Sequence, residues 1–360
     1  MREDVKKSGK AQTVLGLISS EELGPTLTHE HLLLDMRCWF VEPKTARESA
    51  LAAEPVSLKN LGWVRYHYSS SLDNLQLLDE EVAARELQLF KEAGGGTLVE
   101  LTSIGLGRSP LGLARISRAS GVHVVMGTGY YVTGLPGMCT DGIWAEDRLV
   151  SEMVRDIEIG VEDSGIRAGI IGEVGVEWPL READRTSLRA AARAQQETGA
   201  AINVHPGRSP DSPFEIADLL GAAGADLHRV VMSHVDRTLF DHESQITLAQ
   251  RGCYLSLDQF SIEGWSPFRM VKSERTTEPA DIPTDAARVD QIRALVEAGL
   301  VDRILVSHDH CHKHRLFSYG GPGYAHILTN VIPLMRARGL SEGDMSTILV
   351  ENPRRLLQFT

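Results

Sequence analysis

The sequence has no closely spaced cysteine pair. Its four cysteines, Cys38, Cys139, Cys253 and Cys311, lie far apart. That spacing argues against a disulfide framework and suits reduced thiols in a cytoplasmic protein. No run of about 18 apolar residues occurs, and the charged stretch Met1 to Lys10 has no apolar segment, so neither a membrane span nor a secretory leader is expected. There is no basic stripe. Asp plus Glu number 49 against 37 Lys plus Arg, a net charge of −12, which makes nucleic acid an unexpected partner. No Gly-x-Ser-x-Gly elbow offers a serine nucleophile. No short-period repeat or low-complexity tract appears.

What is present is a strict alternation of short apolar runs with helical stretches. Asp79 to Ala93 reads as a helix closed by Gly94-Gly95-Gly96, and Thr97 to Leu101 as the strand after it. The pattern then repeats. Helices are expected at Pro110 to Ser120, Trp144 to Gly160, Ala183 to Thr198, Pro213 to Ala223, Glu243 to Gln250 and Asp285 to Ala298. Between them lie strands at His123 to Gly127, Ala168 to Glu173, Ala201 to His205, Arg229 to His234, Cys253 to Asp258 and Asp302 to Asp309. Helical sequence follows at Tyr324 to Arg338 and Ser341 to Val350. With the run Thr26 to His31 as the first strand, eight βα units predict a single (β/α)8 TIM barrel over residues 1–360. An open doubly wound sheet fits less well, because no Gly-x-Gly-x-x-Gly follows the first strand. Residues 12–27 are expected to form a hairpin over one end of the fold. Residues 37–78, with Trp39, Trp63, Tyr66 and Tyr68, read as an irregular insertion that covers a site, although packing alone accounts for most of these aromatics.

The polar residues fall at strand ends. In an extended run His29 and His31 share a face and Glu30 points away. Glu173, His205, His234 and Asp309 close later strands. Any one of these is unremarkable as a core side chain. Six at strand ends surround one barrel mouth, where four imidazoles and two carboxylates can hold two divalent ions. Zinc is expected, though such donors also accept manganese, cobalt or iron. A metal-activated water would then serve as nucleophile, with Asp309 as the catalytic proton carrier. Four further histidines, His308, His310, His312 and His314, crowd the last strand end and are read as supporting donors or solvated residues rather than ligands.

Thr28-His29-Glu30-His31, Gly172-Glu173, Val204-His205-Pro206-Gly207-Arg208, Ser233-His234-Val235-Asp236-Arg237 and Ser307-His308-Asp309 together resemble the phosphotriesterase-related family of the amidohydrolase superfamily. The likeness runs from Gln12 to Pro353 and is strongest with the animal branch, through Tyr319-Gly320-Gly321 and His326-Ile327-Leu328-Thr329-Asn330-Val331. The resemblance implies that His29, His31 and Asp309 hold one zinc, that His205 and His234 hold the other, and that Glu173 bridges. Bacterial phosphotriesterases carry a carboxylated lysine at the bridge, so Glu173 is a departure from them. Likeness to the animal branch implies hydrolysis of N-acetyltaurine and some N-acetyl amino acids; the alternative is a lactone or organophosphate hydrolase. The substrate is therefore a small molecule, and a homodimer is compatible with the sequence. Arg208 and Arg237 each follow a metal histidine by three residues and are candidates for the substrate anion, unless they pair with Asp236 or Asp211. Tyr131, with Tyr130 beside it, is a candidate for the pocket wall.

Overall fold

The computed structural model describes residues 7–132, 145–262, 264–266 and 280–360. Eight strands form one sheet: β1 Thr26–Glu30, β2 Thr97–Glu100, β3 His123–Thr128, β4 Ile170–Gly175, β5 Ile202–His205, β6 Val230–Met232, β7 Tyr254–Leu257 and β8 Ile304–Val306. Neighbours in sequence are neighbours in the sheet, and each pair from β1 to β8 runs parallel. The two edges then meet. The Asp309 N–H donates to the His29 carbonyl at 3.2 Å, and the His29 N–H donates to Ser307 Oγ at 3.0 Å. The expected (β/α)8 TIM barrel is what the chain forms.

Helices fill the crossovers where sequence periodicity places them. Glu80–Glu92 begins at Asp79, whose carboxylate accepts the Glu81 and Val82 N–H groups. Pro110–Ser120 starts on its proline and ends at Gly121 in the left-handed region. Glu146–Glu158, Glu182–Thr198, Ser212–Ala222, His242–Gln250 and Asp285–Glu297 complete the set. Their apolar faces pack on outward strand residues such as Leu98, Val124, Ile171, Val204, Met232 and Leu257. The alternate residues Val99, Val125, Ile170, Val231 and Leu305 fill the barrel, with Leu356, Leu357, Ala11 and Leu23 in the same cluster. The interior is therefore plugged at one end and polar only at the other.

Three local expectations need correction. The hairpin lies earlier than residues 12–27 suggested: Lys10–Thr13 pairs with Gly16–Ser19. Thr13 Oγ1 binds both the Leu15 N–H and the Gly16 carbonyl, and Gly16 takes φ +125°, so the turn comes at Val14-Leu15. The insertion is not irregular throughout. It carries helices Ala46–Ala53 and Leu61–Tyr66, the first capped by Thr45, whose Oγ1 accepts the Glu48 N–H. The C-terminal helical run passes Val350 and ends at Leu357, with Pro353 placed just after a wide five-residue turn where its missing N–H costs nothing. Trp144, Pro267, Pro279 and Cys139 lie outside the described residues.

Glu30 fixes the closure. Its side chain points away from His29 and His31. Its carboxylate accepts from Ser307 Oγ at 2.8 Å, the His308 N–H at 2.8 Å, His308 Nδ1 at 2.6 Å and the His310 N–H at 3.0 Å. Glu30→Ala leaves these buried donors unmet and removes a buried charge from its partners. The expected cost is about 3–5 kcal/mol, read as a lower midpoint in thermal unfolding; a midpoint equal to that of the natural chain would contradict this account of the closure.

Candidate metal centre

The polar end of the barrel gathers side chains from six strands. Glu173, buried within β4, is the centre. Its Oε1 lies 2.7 Å from His205 Nδ1, 3.2 Å from His234 Nε2 and 3.4 Å from His29 Nε2. The His205 and His234 nitrogens are themselves 3.0 Å apart. On the other side of the cluster, Asp309 Oδ1 lies 3.2 Å from His31 Nε2 and 3.8 Å from His29 Nε2. Two sets result: His29, His31 and Asp309; and Glu173, His205 and His234. All six strand-end residues singled out in the sequence meet here.

The rings are oriented from behind. Asp258, at the end of β7, binds His29 Nδ1 through Oδ2 at 3.0 Å and His234 Nδ1 through Oδ1 at 2.6 Å. Ser233 Oγ also reaches His29 Nδ1 at 3.0 Å, and Thr102 Oγ1 holds His31 Nδ1 at 3.0 Å. These contacts leave the Nε2 atoms of His29, His31 and His234 facing the centre. A third acidic grouping, His29, His234 and Asp258, is geometrically close. We read Asp258 as the orienting group, because it meets the ring nitrogens that face away from Glu173. His234 and Asp309 adopt φ +56° and +53°, left-handed conformations rare for such residues, which turn both side chains inward just past their strands.

The centre suits a divalent cation. His29 Nε2 is buried and has no hydrogen-bond partner, although it faces two carboxylates. Burial opposes charge on His29, but Glu173, Asp258 and Asp309 outweigh it and push the ring up to about 10. Burial alone would raise Glu173, yet His205 and His29 hold it well below the usual carboxylate range. His205 moves the other way: burial draws it down to about 4 despite Glu173. A proton on His29 thus occupies the position that a metal ion would take.

The remaining candidates are placed as follows. Tyr131 is buried with its ring 5.3 Å from that of His205, edge to face, and the Trp39 ring lies 6.1 Å beyond it. Tyr130 turns outward instead, its hydroxyl bonded to Glu152. Arg237 is 8% exposed, with Nη2 3.2 Å from His205 Nε2. Arg208 is exposed to the mouth. Neither pairs with Asp236, which Arg288 holds at 2.6 Å. The four histidines after β8 are buried rather than solvated. His308 binds Glu30, His310 Nε2 the Gly323 carbonyl at 3.2 Å, His312 Nδ1 the Cys311 thiol at 3.2 Å, and His314 Nδ1 Asn74 Oδ1 at 2.8 Å. Sequence reasoning missed Asp258 as part of the centre, although the expected seventh strand ended on it.

Comparison with known proteins agrees with this geometry. The phosphotriesterase family model matches residues 9–357. Curated relatives include an N-acetyltaurine hydrolase of Homo sapiens, 43% identical over 353 residues, covering 98% of this chain and 99% of that protein. An N-acetyltaurine hydrolase of Dictyostelium discoideum is 40% identical over 375 residues, covering 98% of each. Among solved structures, a resiniferatoxin-binding protein from Rhodobacter sphaeroides superposes with a TM-score of 0.90 at 36% identity, covering 97% of this chain and 95% of that one.

The His29 shift sets a pH dependence. In the metal-free protein its raised pKa stabilises the fold fully below about 6.5, and that contribution is lost as pH rises toward about 10. A cation must displace the same proton. Binding of zinc to the chelated protein at pH 7.5 is therefore expected to release about one proton from His29 and to tighten as pH rises toward 10. Calorimetry in two buffers of different ionisation enthalpy measures it; uptake without proton release would contradict the assignment.

Proposed function

The chain belongs to the phosphotriesterase family, and from that membership we propose that it is a metal-dependent amidohydrolase cleaving N-acetyltaurine, and some N-acetyl amino acids, to the free amine and acetate. One observation carries the chemical part of this reading. Glu173 Oε1 stands within 3.4 Å of three ring nitrogens from three different strands, in a buried site. The substrate part rests on full-length relatives that carry that name.

Two ions, with zinc the first choice for imidazole and carboxylate donors, would be held by the sets His29, His31, Asp309 and Glu173, His205, His234, with Glu173 between them. Such ions supply positive charge at the acyl oxygen and make a water acidic enough to attack near neutral pH. The protein's own groups do the rest. Asp309, 13% exposed on its side chain, lies on the open side of the cluster. It takes the proton of the attacking water and gives it to the amide nitrogen as the C–N bond breaks, so that taurine leaves as an amine rather than an amide anion. Burial alone would raise the Asp309 carboxyl, but His31, His29 and His234 hold it below its ordinary range, which keeps it ionised. Tyr131 and the Trp39 ring wall the site against water.

An amine-release assay over N-acetyltaurine, N-acetyl amino acids, a lactone and paraoxon, each followed by its own product, tests the reading. The acetylated amines are expected to be the better substrates. Glu173→Ala is expected to lower kcat/KM by about a hundredfold or more and to reduce bound metal. Turnover of lactone or paraoxon ahead of N-acetyltaurine would replace the amide with an ester as the substrate.

A further inference from the structure

Among the described residues, the two arginines beside the centre have no counter-ion. Arg237 sits in the short helical turn Val235–Thr238 directly after β6 and is almost wholly buried. Its Nε and Nη1 are buried without any acceptor among the described residues. Its Nη2 has one neighbour, His205 Nε2 at 3.2 Å. The adjacent Asp236 is committed to Arg288, and among the described residues no carboxylate forms an ion pair with Arg237 or Arg208. Arg208, exposed at the mouth, lies near enough to Arg237 for the two cations to disfavour one another's charge. Unmet guanidinium donors in such a place are costly unless an acceptor arrives.

His205 makes that need conditional. A neutral imidazole carries one N–H. Here Nδ1 lies 2.7 Å from Glu173 Oε1, so the proton on Nδ1 donates to the carboxylate and Nε2 accepts from Arg237. Were His205 to serve as a metal ligand, a cation would take the place of that proton, and neutral His205 would carry its N–H on Nε2. Two donors would then oppose each other, and Arg237 would lose the acceptor it has among the described residues.

We propose that Arg237, the Nε2–H of His205 and Arg208 at the rim form an anion subsite that becomes complete only when the metal centre is loaded, and that it receives the strongly acidic group of the substrate's amine half. This rests on the metal-hydrolase reading above and deepens it. The ring of His205 separates the subsite from Glu173 by a single imidazole. The substrate class is therefore an N-acyl amine whose anion stands about 5 Å beyond the acyl carbon in extended form, the reach of two methylenes past the nitrogen. A sulfonate suits it, being an anion at all relevant pH with three acceptors for converging donors.

The test uses ethanesulfonate, an anion with no bond to hydrolyse. Its binding is measured by calorimetry to zinc-loaded and to chelated protein, in the natural chain, in Arg237→Met, which keeps the side-chain bulk, and in Arg237→Lys. Metal content and thermal midpoint are recorded for each. The loaded natural chain is expected to bind at least about tenfold tighter than the chelated one, Arg237→Met to lose about tenfold or more, and Arg237→Lys to recover part of the loss. Equal affinity with and without metal, or in the natural chain and Arg237→Met, overturns the proposal. Should Arg237→Met fail to fold, the contrast between loaded and chelated natural protein decides. A second readout compares substrates: Arg237→Met is expected to lower kcat/KM for N-acetyltaurine by at least about tenfold more than for N-ethylacetamide, whereas equal loss on both marks a structural role. If neither amide is turned over, the hydrolase reading fails while the ethanesulfonate titration still reports on the subsite.

Discussion

A buried carboxylate shared by three imidazoles is the constraint around which this barrel is built. Glu173 has its Oε1 within 3.4 Å of His29, His205 and His234, and none of the four side chains is freely solvated. Such a group is tolerated only if the surrounding charge and hydrogen bonds compensate its lost hydration. The barrel supplies this in layers. Asp258 fixes two rings from their far side, Thr102 a third, and Glu100 in turn accepts from Thr102. The apolar plug beneath, from Val99 to Leu305, removes water from below. Electrostatics inside this shell are strong because the shell excludes solvent on every side but the mouth.

The same device appears twice at the join between the first and last strands. His29 faces inward and Glu30 outward, as alternation along a strand requires. Inward, the pair His29 and His31 meets Asp309. Outward, Glu30 gathers the backbone of His308 and His310 and so positions the loop on which Asp309 stands. The polar cluster at the mouth and the closure of the barrel are therefore one problem. Asp309 holds a left-handed backbone conformation that its neighbours determine, since its own N–H is tied to the His29 carbonyl.

Much of this was legible in the chain. Apolar runs of four to six residues between helical stretches mark buried parallel strands, and a polar residue at the end of such a run faces the mouth. That rule finds His205, His234 and Asp309. It also reaches Asp258, but strand-end position does not say whether a carboxylate meets the front or the back of an imidazole; the ring's orientation decides, and it depends on residues from three strands. Tyr130 and Tyr131 pose a similar problem. Adjacent residues point to opposite sides, and only the structure shows that Tyr131 turns to His205 while Tyr130 turns to Glu152. The hairpin's position is hard to read because Val14-Leu15 continues into the apolar run that follows, whereas the Thr13 hydroxyl makes a turn at those two residues. The helix after Thr45 did carry a sequence signal, the Thr-x-x-Glu box, hidden within a proline- and aromatic-rich stretch.

A glutamate shared by three imidazoles makes a demand that a longer side chain would not. It must be carried close to the rings by its own backbone, because it has few bonds with which to reach. The strands answer at Gly127, where a Cβ would lie 2.0 Å from the Gly172 carbonyl oxygen. Only glycine lets β3 come this near to β4. Gly172 itself takes φ +142°, a conformation open to glycine, and its own Cβ would strike the Asn203 carbonyl at 2.7 Å. β4 is thus squeezed between its neighbours at the residue before Glu173, and the Glu173 N–H is anchored across the sheet to the Leu101 carbonyl at 3.3 Å. The position of the Glu173 carboxylate is thus set by backbone packing, the stiffest element that a barrel can offer.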